Sequence, residues 1–329
     1  MSDATTDLHI AVIGVGIMGA DHVARLTESI AGAHVSVVSD ADAARAESVA
    51  RTAPGARVVA DPFDAIIAAD VDAVVLASPG PAHEAQVIAC LDAGKPVLCE
   101  KPLTTDAASA LSIVRRQAAI GQRLIQVGFM RRFDADYQGL RALVVDGTLG
   151  TPLLMHCVHR NASVPSHFES ATIVKDSLVH EVDATRFLLG EEIVAVTVRT
   201  PTSNPAAPQG LRDPQLALFE TASGKLVDAE VFVTTGVGYE VRTEIVGETG
   251  SAIIGHGRVT ADFREHFGRA YDTEVQRWVE AVRAGDCVDG PDAWDGYAAA
   301  AVCAAGVESL ETGSRVLVDM VDRSSIPGA

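Results

Sequence analysis

Leu8-His9-Ile10-Ala11-Val12-Ile13-Gly14-Val15-Gly16-Ile17-Met18-Gly19 is the stretch on which the fold turns. A short apolar run ends in a G-x-G-x-x-G turn and passes directly into helix-like sequence, the context that a dinucleotide-binding βαβ unit requires. In such a unit Gly14 allows the tight turn, Gly16 lets backbone approach a pyrophosphate, and Gly19 lets the helix pack on the sheet. Gly14, Gly16, Ile17, Met18 and Gly19 therefore form the candidate phosphate cradle, at a helix N-terminus whose N–H groups suit an anion. Asp40 closes the second predicted strand, where a carboxylate accepts ribose hydroxyls and repels a 2'-phosphate. Ala41, Asp42 and Ala43 follow it with no arginine among them, so the reading is NAD rather than NADP.

Outward from this loop, short β-branched runs at 10–13, 35–38, 57–59, 73–77, 97–99 and 124–127 alternate with longer helix-like segments. That rhythm is βαβ, and runs apolar on both faces suit a parallel sheet covered by helices on either side. The first 129 residues read as an α/β Rossmann domain with a doubly wound parallel sheet. Beyond Gly128 the rhythm changes to a helix near 134–145, a strand at 152–161 and a helix at 177–189. Alternating strands follow at 215–221, 225–235, 239–246 and 251–254, with Ser223-Gly224 and Thr249-Gly250 as turns between them. Residues 130–329 thus read as an α+β domain with a mostly antiparallel open sheet, closed by helices at 271–283 and 294–310.

A chain of 329 residues suits two domains. Apolar residues at 48% and charged residues at 21% are ordinary for a globular protein, and no run approaches a membrane span. A net charge of -18 repels nucleic acid and anionic membranes, so neither is expected as a partner. The N-terminal MSDATTDLHI has no basic region ahead of a long apolar run, and Cys90, Cys99, Cys157, Cys287 and Cys303 form no C-x-x-C pair. These features lead us to expect a cytoplasmic protein with free thiols.

The chemistry-bearing residues lie further along. Lysine occurs only at 95, 101, 175 and 225, and Lys101 stands in Glu100-Lys101-Pro102 at the C-terminal end of the fifth predicted strand, the edge where open α/β sheets bind ligands. An ammonium there would stabilise a developing alkoxide, and a cis Lys101-Pro102 bond would aim it inward. Asp176 and His180 stand four apart on a predicted helix and so share a face, which Asp183 continues. Histidine suits proton exchange near neutrality, although a helix cap and a half-buried imidazole would give the same pattern. No metal is expected: His180-Glu181-Val182-Asp183 lacks the second histidine of a zinc motif, and His156 and His159 fall on opposite faces of a strand.

Taken together, Gly14 to Gly19, Ser78-Pro79-Gly80-Pro81-Ala82-His83-Glu84, Glu100-Lys101-Pro102, Gly128-Phe129-Met130-Arg131-Arg132-Phe133-Asp134, His159-Arg160-Asn161 and Asp176 to Asp183 resemble the Gfo/Idh/MocA oxidoreductase family, and within it the inositol dehydrogenase branch. The resemblance spans nearly the whole chain. It implies a catalytic triad of Lys101, Asp176 and His180, with the histidine taking a hydroxyl proton as hydride leaves carbon for NAD. It further implies that Arg131, His159, Asn161 and Tyr239 line the substrate pocket, and that Ser78, Pro79, His83 and Glu100 lie near the cofactor. Gly80 and Phe133 depart from the wider family, which often has asparagine and tyrosine there. The implied reaction is oxidation of myo-inositol or a close cyclitol to an inosose, by a homotetramer packed through its C-terminal sheets. A pyranose or aminocyclitol dehydrogenase and a silent NAD(H) sensor are the competing readings.

Overall fold

The computed structural model describes residues 7–288 and 290–328; Met1 to Thr6, six of the ten residues of the N-terminal stretch read above, lie outside them. It divides into two compact units, one of Met1–Phe129, Tyr271–Tyr297 and Asp322–Ala329, the other of Met130–Ala270 and Ala298–Val321.

In the first unit the strands are β1 (Leu8–Ile13), β2 (Ala33–Ser39), β3 (Arg57–Val58), β4 (Ala73–Leu76), β5 (Val97–Glu100) and β6 (Ile125–Gly128). They pair in parallel in the order β3-β2-β1-β4-β5-β6, so the direction of winding reverses between β1 and β4. The connecting helices are α1 (Ile17–Glu28), α2 (Ala43–Ala50), α3 (Pro62–Ile67), α4 (His83–Asp92) and α5 (Ala107–Ile120). Aspartates start three of them: Asp42, Asp61 and Asp106 accept hydrogen bonds from first-turn N–H groups of α2, α3 and α5. Gly121, left-handed at φ 76°, ends α5. Because β1 and β4 are covered on both faces, Ile10 to Ile13 and Ala73 to Leu76 are at most 2% exposed.

In the second unit α6 (Ala135–Val145) leads into β7 (Pro152–Arg160). A helical stretch then runs through α7 (Ser170–Thr172), a π-helical turn (Ile173–Leu178) and α8 (Val179–Leu189). The strands β8 (Ile193–Arg199), β9 (Gln215–Thr221), β10 (Leu226–Phe232), β11 (Tyr239–Gly247) and β12 (Ser251–Ile254) follow. Two short strands, β13 (Val259–Thr260) and β14 (Val316–Leu317), complete an eight-stranded sheet ordered β12-β11-β7-β10-β9-β8-β14, with β13 on β11. Its pairs are antiparallel except β7 with β10, which run parallel from Leu154↔Leu226 to Arg160↔Phe232. Alternation sets one face inward with Val227, Ala229, Val231, Val241 and Ile245. The other face stays partly open, with Leu154, Leu216, Leu218, Leu226 and Ile253 each at least 36% exposed.

The second segment, expected to run unbroken over 130–329, gives residues 271–297 and 322 onward back to the first unit. The cause is packing. Helix α9 (Phe263–Ala284) departs from helical geometry at Phe267, and beyond Ala270 it carries Val275, Trp278 and Val279 into the core formed by Ile10, Val12, Leu26, Val35 and Leu98. The Arg25–Asp272 ion pair and the bond from Val127 N–H to Pro291 carbonyl, 2.8 Å, fasten the same segment. The last long helix, α10 (Ala293–Thr312), divides between Tyr297 and Ala298.

Residues 1–129 expressed alone should therefore lack a side of their core and show a loosely packed state that binds ANS and is quickly proteolysed. In the full chain Trp278→Ala should lower the unfolding free energy by about 3–5 kcal/mol in a urea titration. A fragment with sharp, cooperative unfolding would refute this account of the core.

Candidate active site

The glycine loop of the first unit is built by close approach. Gly14 has φ +79° and a Cβ there would lie 2.4 Å from Ser78 N; a Cβ on Gly19 would lie 1.8 Å from Gly14 O. Around Gly16, by contrast, a Cβ would meet nothing within 4 Å, so the space above the loop is open. Helix α1 begins at Ile17, and Gly16 ahead of it offers no side-chain cap, which leaves first-turn N–H groups, Ile17 and Met18 among them, for an anion. An open cradle, free N–H groups and a helix N-terminus fit a dinucleotide pyrophosphate. NAD bound there would supply a hydride acceptor.

Asp40 accepts hydrogen bonds from Val15 N–H (2.7 Å), Asp42 N–H (2.8 Å) and the guanidinium of Arg45 (2.7 and 3.1 Å). Burial works against its charge, but Arg45 and the two N–H donors outweigh it and hold the carboxyl below the usual range. Asp40 is thus tied to the glycine loop through Val15.

The loops after β4 and β5 are joined by His83. Its ring nitrogens lie 2.7 Å from Ser78 O and 2.8 Å from Pro102 O, and the residue is 1% exposed. His83 acts here as a brace, holding the Ser78-Pro79 turn against the Lys101-Pro102 turn. Glu100, also buried, has one oxygen 2.8 Å from His22 Nε2 and the other accepting from Lys101 N–H at 3.3 Å. The Lys101-Pro102 peptide is cis, as the turn reading expects, and Asp213-Pro214 is a second cis bond.

The second unit gathers Arg131, His159, Tyr239, His180 and Glu181. Arg131, 2% exposed, donates to both oxygens of Glu181 (2.8 and 2.7 Å) and to Tyr137 Oη (3.3 Å). His159 Nδ1 lies 3.1 Å from Glu181 Oε1, and its ring stands 6.0 Å from that of His180 and 5.6 Å, edge-on, from that of Tyr239. Burial raises the Glu181 pKa, but the Arg131 charge and His159 more than reverse this, so the carboxyl sits below its ordinary value of 4.5. Burial pushes the Tyr239 hydroxyl up to about 12, against the Arg131 charge. Asn161 is fixed by its backbone, donating to Phe232 O and accepting from Thr235 N–H.

Two sequence readings need amendment here. Asp176 is neither a helix cap nor on a regular α-helical turn, because the helical stretch starts at Ser170 and passes through the π-helical turn that contains Asp176. Such single π turns recur at functional sites. Asp183 does not continue an open face: it is 1% exposed and takes a bidentate bond from Arg132. Glu181 was missed. The available signal was the dipeptide Arg131-Arg132, whose two cations match two acids spaced by two on a helix otherwise buried from Val179 to Leu188 except at Phe187.

Among the described residues no cluster of three or more His, Cys, Asp or Glu could hold a metal ion, and no helix is long and apolar enough to cross a membrane. His156 faces away from His159 and pairs with Asp228.

The 3-2-1-4-5-6 sheet and its glycine cradle define a dinucleotide-binding Rossmann unit. The model of the oxidoreductase family with an NAD-binding Rossmann fold matches residues 8–129, and that of the GFO/IDH/MocA C-terminal domain matches residues 137–253. The chain belongs to the Gfo/Idh/MocA family. It is 64% identical to the inositol 2-dehydrogenase of Rhodococcus erythropolis, with 100% of each chain covered, and 48% identical to that of Streptomyces avermitilis, over 98% and 97%. The crystal structure of myo-inositol dehydrogenase from Lactobacillus casei in complex with NAD(H) and myo-inositol is 34% identical, with a TM-score of 0.91 over 96% of this chain and 98% of that one.

Glu181→Ala, which leaves the Arg131 charge buried without its counterion, should cost about 3–5 kcal/mol of stability. Because the folded pKa of Glu181 is depressed, its contribution is complete above pH 4.5 and fades as pH falls through the lower folded value. Urea titrations across pH 3–6 should show a steeper acid-side loss in the parent than in the variant, which keeps only the loss due to other depressed acids such as Asp40.

Proposed function

We propose that the chain oxidises one secondary hydroxyl of a cyclitol with NAD, myo-inositol to 2-keto-myo-inositol being the leading substrate. The observation that carries this reading is the full-length likeness to inositol 2-dehydrogenases at 64% identity, with Lys101, Asp176 and His180 all present. The buried cluster of the second unit supports it: His180 stands on α8 next to a histidine that Glu181 and Arg131 hold in place.

A secondary alcohol does not ionise unaided near neutral pH, so hydride departure needs a positioned base. His180 takes the hydroxyl proton. Lys101 directs its ammonium at the same oxygen and stabilises the developing alkoxide, while Asp176 holds a neighbouring hydroxyl and orients the imidazole. His159, Asn161 and Tyr239 complete the polyol pocket. Arg131, turned fully toward Glu181, serves that pocket by fixing His159. On the cofactor side the cradle from Gly14 to Gly19 takes the pyrophosphate, Asp40 the ribose, and Ser78, Pro79 and Glu100 shape the adjoining wall, with His83 behind them.

The division of labour follows the chain: residues 1–129 bind NAD, and the segment from Met130 carries the substrate and assembly surfaces. The assembly is a homotetramer in which the open sheet face is covered by another copy. Exposed Leu154, Leu216, Leu218, Leu226 and Ile253 beside a groove of about 650 Å³ lined by His156, Asp228 and Glu244 favour this. The compartment is the cytoplasm, where NAD and cysteines kept out of disulfides are both at home.

The test is NADH absorbance with a panel of myo-inositol, scyllo-inositol, glucose and an aminocyclitol, followed by mutants. His180→Ala should lower kcat by about 10² to 10⁴ with NAD affinity nearly unchanged. Lys101→Ala should also lower kcat yet keep a pH-dependent limb. If single-turnover hydride transfer in His180→Ala stays within about tenfold of the parent, with its pH dependence intact, the base must be sought elsewhere.

A further inference from the structure

Both oxygens of Asp40 are fully occupied. Oδ1 accepts from Asp42 N–H (2.8 Å) and Arg45 Nη2 (2.7 Å), and Oδ2 from Val15 N–H (2.7 Å) and Arg45 Nε (3.1 Å). A carboxylate offers about four lone-pair sites, so two ribose hydroxyls cannot be accepted until two of these donors leave. Val15 and Asp42 donate from backbone fixed by the glycine loop and by the start of α2. The guanidinium is the displaceable pair, on a side chain 47% exposed, and ion pairs so placed are weak. Arg45 therefore stands where the adenosine ribose hydroxyls must go.

We propose that Arg45 is a second determinant of nucleotide choice, a guanidinium that would receive a 2'-phosphate and that opposes the NAD preference set by Asp40. The inference rests on the reading that Asp40 meets the ribose. A fork that already reaches the hydroxyl positions of the ribose needs little movement to meet a phosphate attached there, and guanidinium matches phosphate in a bidentate manner. The local charges explain why NAD prevails nevertheless. Asp40 and Asp42, the latter 4.0 Å from Arg45 Nη1 and capping α2 through Arg45 N–H, outnumber the single cation. Removal of Asp40 leaves one cation facing one anion and frees the fork.

Adenosine 2',5'-bisphosphate and 5'-AMP separate the two residues without turnover. Each is titrated by calorimetry, at one ionic strength, into the parent, Arg45→Ala, Asp40→Ser, Asp40→Asn and Asp40→Ser/Arg45→Ala, and the ratio of the two affinities is read. Asp40→Ser and Asp40→Asn should shift that ratio toward the bisphosphate by about tenfold or more, and removing Arg45 from the Asp40→Ser protein should return most of that gain, equivalent to about 1.4 kcal/mol. The ratio of kcat/KM for NADP and NAD should move in parallel. Should Asp40→Ser shift the ratio and the double variant keep that shift within about threefold, Arg45 has no such role and the Asp40 reading stands. Should neither Asp40 variant shift it, the ribose reading of Asp40 falls, and this proposal with it.

Discussion

The backbone crossing at Gly14 and Gly19 is the constraint from which the first unit follows. Gly19 sits against Gly14 O and Gly14 against Ser78, at distances that no Cβ tolerates. This contact sets the line along which α1 leaves β1. On that line His22, three residues past Gly19, reaches Glu100 at the end of β5, and Glu100 in turn takes the N–H of Lys101. A steric requirement at the phosphate loop is thereby passed, through one buried imidazole and one carboxylate, to the backbone of the residue assigned to the alkoxide. The crossing also fixes Val15, whose N–H holds Asp40, the acid proposed for the ribose.

The second unit relies on charge where the first relies on close approach. Arg131 and Glu181 are 2% and 0% exposed, and an ion pair so deep depends on close geometry and on added hydrogen bonds, of which Arg131 Nε makes none. Glu181 satisfies both demands by accepting from Arg131 and neighbouring His159, while Tyr137 bridges Arg131 to Thr243 on β11. The outcome is a rigid polar cluster beneath His180. Its neighbour pair, Arg132 with Asp183, anchors the same helix at the next available position. Helix α8 is therefore held by electrostatics at Glu181 and Asp183 and by apolar packing at residues such as Val182 and Leu188.

Much of this was legible in the sequence. Strands buried on both faces, broken by glycine turns and capped helices, give a periodicity that locates β1 to β6 within a residue or two. The alternating strands of the second sheet were equally plain, though not the parallel β7–β10 pair, because register between distant strands leaves no local mark. What stayed hidden was long-range. The sequence of α9 shows an amphipathic helix, yet nothing in it says which of two cores receives Trp278. A π-helical turn differs from an α-helical one by a single backbone bond pattern, so the spacing of Asp176 and His180 could not reveal it. Nor could composition around Asp40 show Arg45, since the first turn of α2 is what returns that guanidinium to the carboxylate.

The acids of this protein make a broader point. A net charge of -18 would suggest carboxylates as solvated decoration, but Asp40, Glu100, Glu181 and Asp183 are each drawn into a defined set of donors. Their partners differ by task. At Glu181 the donor is an arginine buried with the acid, and at Asp183 it is one whose side chain is 16% exposed. At Glu100 it is a histidine and a backbone N–H, which orient a neighbouring residue without adding a fixed cation beside the lysine. At Asp40 the arginine is half exposed, and on the reading proposed above it is the donor that an incoming ribose would displace. The exposure of the cation thus distinguishes Arg45 beside Asp40, at 47%, from Arg131 beside Glu181, at 2%.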